Sequence, residues 1–153
     1  MSKNLFKKIF VILTIGLLLF GCQPIVDQPM ESTPPESVTE IDEAGSYTSK
    51  DEVALYLHTY QKLQSNFIKK QEAMKLGWDS SQGNLWKVTD QKSIGGDVFG
   101  NFEGLLPKEK GRIYYEADID YQGGSRNAKR IVFSNDGLVF YTNDHYSSFE
   151  RLY

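Results

Sequence analysis

The strongest constraint on the fold is a change of hydrophobic period near residue 95. "IYYEADI" (Ile113 to Ile119), "KRIVFS" (Lys129 to Ser134) and "LVFYTN" (Leu138 to Asn143) alternate and are rich in β-branched and aromatic residues. Such runs form strands. The "NDG" between the last two supplies a hairpin turn, so the second half of the domain reads as an antiparallel sheet. Earlier, "SKDEVALYLHTYQKL" opens with Ser49 and carries Glu52 three residues on, a capping-box arrangement. Val53, Tyr56, Leu57, Tyr60 and Leu63 then recur at helical spacing and define a buried face, with His58 on the solvent side. A second helix is expected over Lys70 to Leu76, stopped by Gly77, and a short one around Asn84 to Val88. The fold class is therefore α+β, with N-terminal helices packed on one face of a C-terminal antiparallel sheet.

The two ends of the chain behave differently. Lys3, Lys7 and Lys8 lead into the apolar run "IFVILTIGLLLF", too short for a stable bilayer span but suited to a signal peptide over residues 1–21. The run closes on "LFGC", and Cys22 is the only cysteine. That resembles the lipobox of bacterial lipoproteins and implies a lipid anchor on Cys22, hence a place on the outer face of the cell membrane; a plain secreted protein is the other reading. From Gln23 to Ser46 the chain has four prolines and six acidic residues and no basic one. Residues 22–46 read as a lipidated cysteine and a disordered tether with a reach of roughly 25–30 Å, and residues 47–153 as the folded domain.

Removing both segments changes the charge argument. Three of the 17 Lys and Arg lie in the signal and six of the 20 Asp and Glu in the tether, which leaves 14 of each from Tyr47 onward. A neutral domain must attract a polyanion through a local cluster. Strand alternation supplies one: Tyr114, Glu116 and Asp118 share a face, and Arg126 and Arg130 follow closely enough to lie beside Glu116. That face is expected to be the open one. His145 closes the far side. One carboxylate among cations, with a histidine opposite, suits a substrate carrying negative charge. "SIGGD" lacks the lysine and spacing of a phosphate-binding P-loop and reads as a strand entry. Arg112 and Asp136 read as a structural pair, and Trp78 and Trp86 as packing residues. No His/Cys/carboxylate cluster with metal-ligand spacing is present, and no cofactor is expected.

"YLHTYQKLQSNFIKKQEAMKLGW", "KSIGGDVFGNFEG", "EADIDYQGGSRNAKRI" and "TNDHYSSF", in this order, closely resemble the barnase-type, guanyl-preferring microbial ribonucleases. The likeness runs from about Val53 to Tyr153. It implies an endoribonuclease that acts on single-stranded RNA as a monomer, without metal. Glu116 stands in the position of the general base and His145 in that of the general acid. Arg126, Arg130 and Lys70 match the phosphate-holding cations. The loop "FGNFEG" matches the base-selecting loop: Glu103 would accept hydrogen bonds from guanine, Gly100 and Asn101 would shape the loop, and Tyr146 would stack on the base. Phe102 departs from the pattern, standing where the family carries an arginine. The resemblance also implies an acidic inhibitor protein of the barstar kind as a partner, its complex weakened by that change. A catalytically weak surface lipoprotein that binds RNA, nucleotides or a protein is the alternative that Phe102 leaves open.

Overall fold

The computed structural model describes residues 40–153. The expectations for the signal peptide, Cys22 and most of the tether fall outside the described residues.

Helix α1 (Lys50–Tyr60) begins where the capping residues place it. The Ser49 hydroxyl oxygen accepts the Glu52 N–H at 3.4 Å and donates to the Glu52 carboxylate at 2.5 Å. It ends at Gln61 in the left-handed region, whose N–H returns to the Leu57 carbonyl. Short elements follow: β1 (Phe67–Ile68), α2 (Lys70–Lys75) and α3 (Leu85–Val88). The sheet is completed by β2 (Ser93–Phe99), β3 (Tyr114–Asp118), β4 (Arg130–Ser134), β5 (Val139–Thr142) and β6 (Glu150–Arg151). The six strands lie in sequence order, β1 parallel to β2 and every later pair antiparallel.

Alternation along β3 divides the sheet into two faces. Ala117 and Ile119, with Ile131 and Val139 from the neighbouring strands, pack against Val53, Ala54 and Leu57 of α1. Val53 and Leu57 lie where helical spacing puts them and Leu63 packs at the edge, while Ala54 joins the cluster unexpectedly and Tyr56 is buried outside it. A second cluster of Ile68, Ala73, Trp78, Leu85, Ile94 and Tyr121 joins α2 and α3 to the β1–β2 edge, and gives Trp78 its packing role.

The opposite face differs from the sequence expectation. Glu116 is 6% exposed, and Asp118 and Arg130 are 2% exposed each. The face is covered rather than open, because it also carries Tyr114, Val132 and Phe140. Leu106, Tyr146 and Phe149 close over those apolar neighbours in a third cluster. Apolar area on a sheet face needs a cover, and here two long loops provide it. What stays accessible is a gap between the loops, above Glu116.

The glycines of "SIGGD" have separate jobs. At Gly95 a Cβ would stand 2.7 Å from Phe67 Cδ1 and 3.1 Å from the Ala117 Cβ. Gly96, at φ 91°, lies within the register shift between Gly95 and Asp97 that forms a β-bulge. Gly95→Ala should cost about 1–3 kcal/mol by overpacking, read as a lower urea midpoint; an unchanged midpoint would mean that β1 yields freely.

The folded body begins earlier than Tyr47. Ile41 is buried, the Tyr60 hydroxyl donates to its carbonyl at 2.8 Å and the Tyr56 hydroxyl to the Glu43 carbonyl at 3.0 Å. Lys62 pairs with Glu43 at 2.5 Å. Residues 41–46 thus form a strap on α1. His58 is exposed as expected, with its ring stacked 4.1 Å from that of Tyr153.

Candidate active site

Glu116 projects from the middle of β3 onto the covered face, and both its carboxylate oxygens are engaged. Lys70 Nζ donates to Oε1, and the Tyr146 hydroxyl donates to Oε2. Burial by itself would push the Glu116 carboxyl up. The hydrogen bonds from Lys70 and Tyr146, with the charges of Lys70 and Arg126, outweigh it and hold the group below the ordinary glutamate value. Burial and the adjoining carboxylate push the Tyr146 phenol well above its usual range. At neutral pH the cleft therefore holds an ionised carboxylate beside a neutral phenol.

Lys70 reaches Glu116 because α2 starts in the right place. Lys69, the residue before the helix, offers no side-chain cap. Its function passes to Asp97, whose carboxylate accepts the Lys70 backbone N–H at 2.9 Å. The bulge at Gly96 brings Asp97 opposite Glu116 in the sheet register. The sequence reading did not single out Asp97, and the glycine pair beside it was the available signal.

Arg126 and Arg130 meet at Asp118, which β3 places two residues beyond Glu116 on the same face. Arg126 grips Asp118 through two bonds of 2.6 Å. Burial would lower the Arg126 pKa, but the Asp118 bonds and charge hold it above the ordinary arginine value. Arg130 Nε lies 3.0 Å from Asp118 Oδ1 without aiming its N–H there, so this contact is an ion pair rather than a hydrogen bond. Its NH1 instead donates to the carbonyls of Asn127 and Lys129, at 2.7 and 2.6 Å. Arg130 is thus sequestered beneath Asp118, while Arg126 keeps 22% of its side chain exposed. Of the two arginines expected beside Glu116, Arg126 is the one whose charge acts on it.

The loop after β5 carries His145 and Tyr146, both in the left-handed region, at φ 55° and 73°. Asp144 holds them there. Its carboxylate accepts from Thr142 Oγ1 at 2.8 Å and from the Ser148 N–H and hydroxyl at 3.0 and 2.6 Å, while Thr142 Oγ1 accepts the Tyr146 N–H at 3.1 Å. The Ser148 and Thr142 bonds lower the Asp144 pKa to about 2. Asp144 is a second positioning residue absent from the sequence reading; its spacing to Ser148 could have marked it.

Lys70, Glu116, His145 and Tyr146 line one cleft of about 690 Å³, whose other wall is the loop of Gly100, Asn101, Phe102 and Glu103. Asn101 closes that loop through paired bonds with the Leu106 carbonyl and N–H, at 2.9 and 3.0 Å. Tyr146 is half-buried, its ring 5.1 Å from that of Phe99 and its hydroxyl spent on Glu116. His145 also borders an adjoining pocket of about 400 Å³ with Arg126, Asn127 and Arg130. The structure thus brings all ten expected side-chain and loop positions to two adjacent hollows that meet at His145. Among the described residues no group of three His, Cys, Asp or Glu stands close enough to hold a metal ion. An ionised carboxylate, an imidazole and fixed cations around two adjoining hollows can exchange protons while stabilising charge on a bound anion.

Comparison with known proteins identifies the family. A ribonuclease family model matches residues 50–153. A ribonuclease of Heyndrickxia coagulans is 53% identical over 102 residues, which cover 67% of this chain and 94% of the relative. A ribonuclease of Bacillus intermedius is 53% identical over 102 residues, 67% of this chain and 63% of its own length. The guanyl-specific ribonuclease St of Saccharopolyspora erythraea is 44% identical over 55 residues, 35% of this chain and 54% of its own. With its family model spanning the whole of α1 to the C-terminal residue and its cleft built around a buried glutamate, the chain belongs to the ribonuclease family.

Proposed function

We propose that this protein cuts single-stranded RNA after guanosine by transphosphorylation, with no metal ion. Glu116 takes the proton from the ribose 2′-hydroxyl, and that oxygen forms a bond to the adjacent phosphorus. The bond from phosphorus to the 5′-oxygen breaks, and His145 delivers a proton to the departing oxygen. Water then opens the 2′,3′-cyclic phosphate with the two roles reversed. Lys70 and Arg126 lie where negative charge grows on the phosphate, and Arg130 supports Arg126 through Asp118. Glu103 accepts from guanine N1–H and N2–H₂, a donor pair that adenine lacks.

The observation that carries this reading is the shared cleft: one ionised glutamate, held low by a lysine, faces a histidine across a hollow walled by the Gly100–Glu103 loop. Export and a lipid anchor on Cys22 belong to the same reading, with a monomeric domain outside the membrane. A barstar-like inhibitor would meet a less basic surface here, because Phe102 contributes no charge.

The test is incubation with guanylyl dinucleotides in EDTA. Release of a cyclic guanosine phosphate supports the proposal, and binding without turnover replaces it with the catalytically weak binder. The pH profile of kcat/KM should be bell-shaped, its acid limb set by Glu116. Lys70 favours the ionised glutamate, so Lys70→Ala should move the acid limb to higher pH and lower the rate about 10²-fold. An acid limb that stays in place would remove Lys70 from the base's surroundings.

A further inference from the structure

The loop that walls the cleft has a second groove on its other side. This groove, of about 550 Å³, is lined by Val98, Phe102, Pro107, Lys108, Ile113 and Tyr114 among others. Phe102 borders both hollows and is 90% exposed, in a rim that also exposes Val98 by 68% and Ile113 by 44%. A lone exposed apolar side chain needs no explanation, whereas three around one groove do. Gly100 seats the Phe102 ring: a Cβ at that position would overlap its carbons. The ring is thus laid over backbone, with its other side open to solvent.

Charge narrows the occupant. Arg112 is committed to Asp136 through bonds of 2.6–3.0 Å and to the Pro107 carbonyl. The wall also carries Lys108 and Glu109: a Glu109 carboxylate oxygen accepts the Lys110 N–H at 2.9 Å, and Lys108 has no ion pair among the described residues. An open aromatic face beside an unpaired cation is the combination that single-stranded nucleic acid uses, one base stacking while a phosphate is neutralised. Strand polarity gives the direction. On the proposed mechanism the leaving 5′-oxygen departs past His145, so the 3′ part of the RNA runs toward the Arg126–Asn127 pocket. The 5′ part must leave over the opposite wall, which is Phe102.

We propose that this groove is a subsite for the nucleotide immediately 5′ to the guanosine, with its base stacked on Phe102 and a phosphate beside Lys108. The subsite rests on the function proposed above, and the experiment separates the two. Rates of kcat/KM are compared for GpU, UpGpU and GpUpU. The full-length protein should favour UpGpU over GpU by about fivefold or more. Phe102→Ala should bring that ratio close to one whatever it does to GpU itself, Phe102→Trp should keep it, and Lys108→Ala should reduce both the ratio and its dependence on salt. Equal rates for GpU and UpGpU in the unmodified protein overturn the subsite alone. A ratio that Phe102→Ala leaves intact also overturns it. Failure to cut any of the three overturns the function and the subsite together.

Discussion

Asp118→Asn should lower the melting temperature by roughly 12–20 °C. Asp118 and Arg130 are each 2% exposed, and Asp118 is the carboxylate that both Arg126 and Arg130 address. Removing one member of a buried ionic group leaves charge unpaired in a poorly solvated place, at a cost of about 3–5 kcal/mol. For a domain near 100 residues each kcal/mol shifts the midpoint by about 4 °C or more. Arg126 can turn part of its guanidinium to water, but Arg130 cannot. Arg130 keeps its bonds to the Asn127 and Lys129 carbonyls, which neutralise no charge. Calorimetry checks the shift, and a drop of only a few degrees would mean that Arg130 finds water or another anion.

Glu116→Gln should slow cleavage of a guanylyl dinucleotide by about 10²–10⁴-fold, the usual contribution of a general base. Its effect on stability should be small, about 1 kcal/mol or less, because the Lys70 side chain is 36% exposed and can regain water. The amide is of similar shape and can still accept from Tyr146. This opposition of effects separates Glu116 from Asp118, its neighbour two residues along one strand face. Rapid-quench rates and melting curves on both variants should show one losing rate at nearly full stability and the other losing stability. If Glu116→Gln retains a tenth of the rate or more, the base lies elsewhere.

The elements legible in the sequence were those with a local cause. Ser49 and Glu52 start α1, and the alternation in β3, β4 and β5 marks strands within a residue or two of their ends. β1 and β6 have two residues each, too few for any period, and exist only because neighbouring strands complete their hydrogen bonding. The covered face was misread for a different reason. Alternation says which residues share a face, and it is silent on loops that fold back from elsewhere. Leu106 and Phe149 sit in such loops, so Glu116 was placed on the correct face with the wrong exposure. Asp97 and Asp144 escaped notice because each acts through backbone N–H groups far from it, or in a loop whose shape only the folded chain reveals.

The strap over residues 41–46 has a mechanical meaning. α1 packs on the sheet face that carries Ala117 and Ile131, whereas Glu116 and Asp118 lie on the reverse. A pull along the N-terminal segment would reach Tyr56 and Tyr60 on the helix and Lys62 just past its end. The helix that would receive it lies behind the sheet, away from the face that carries Glu116.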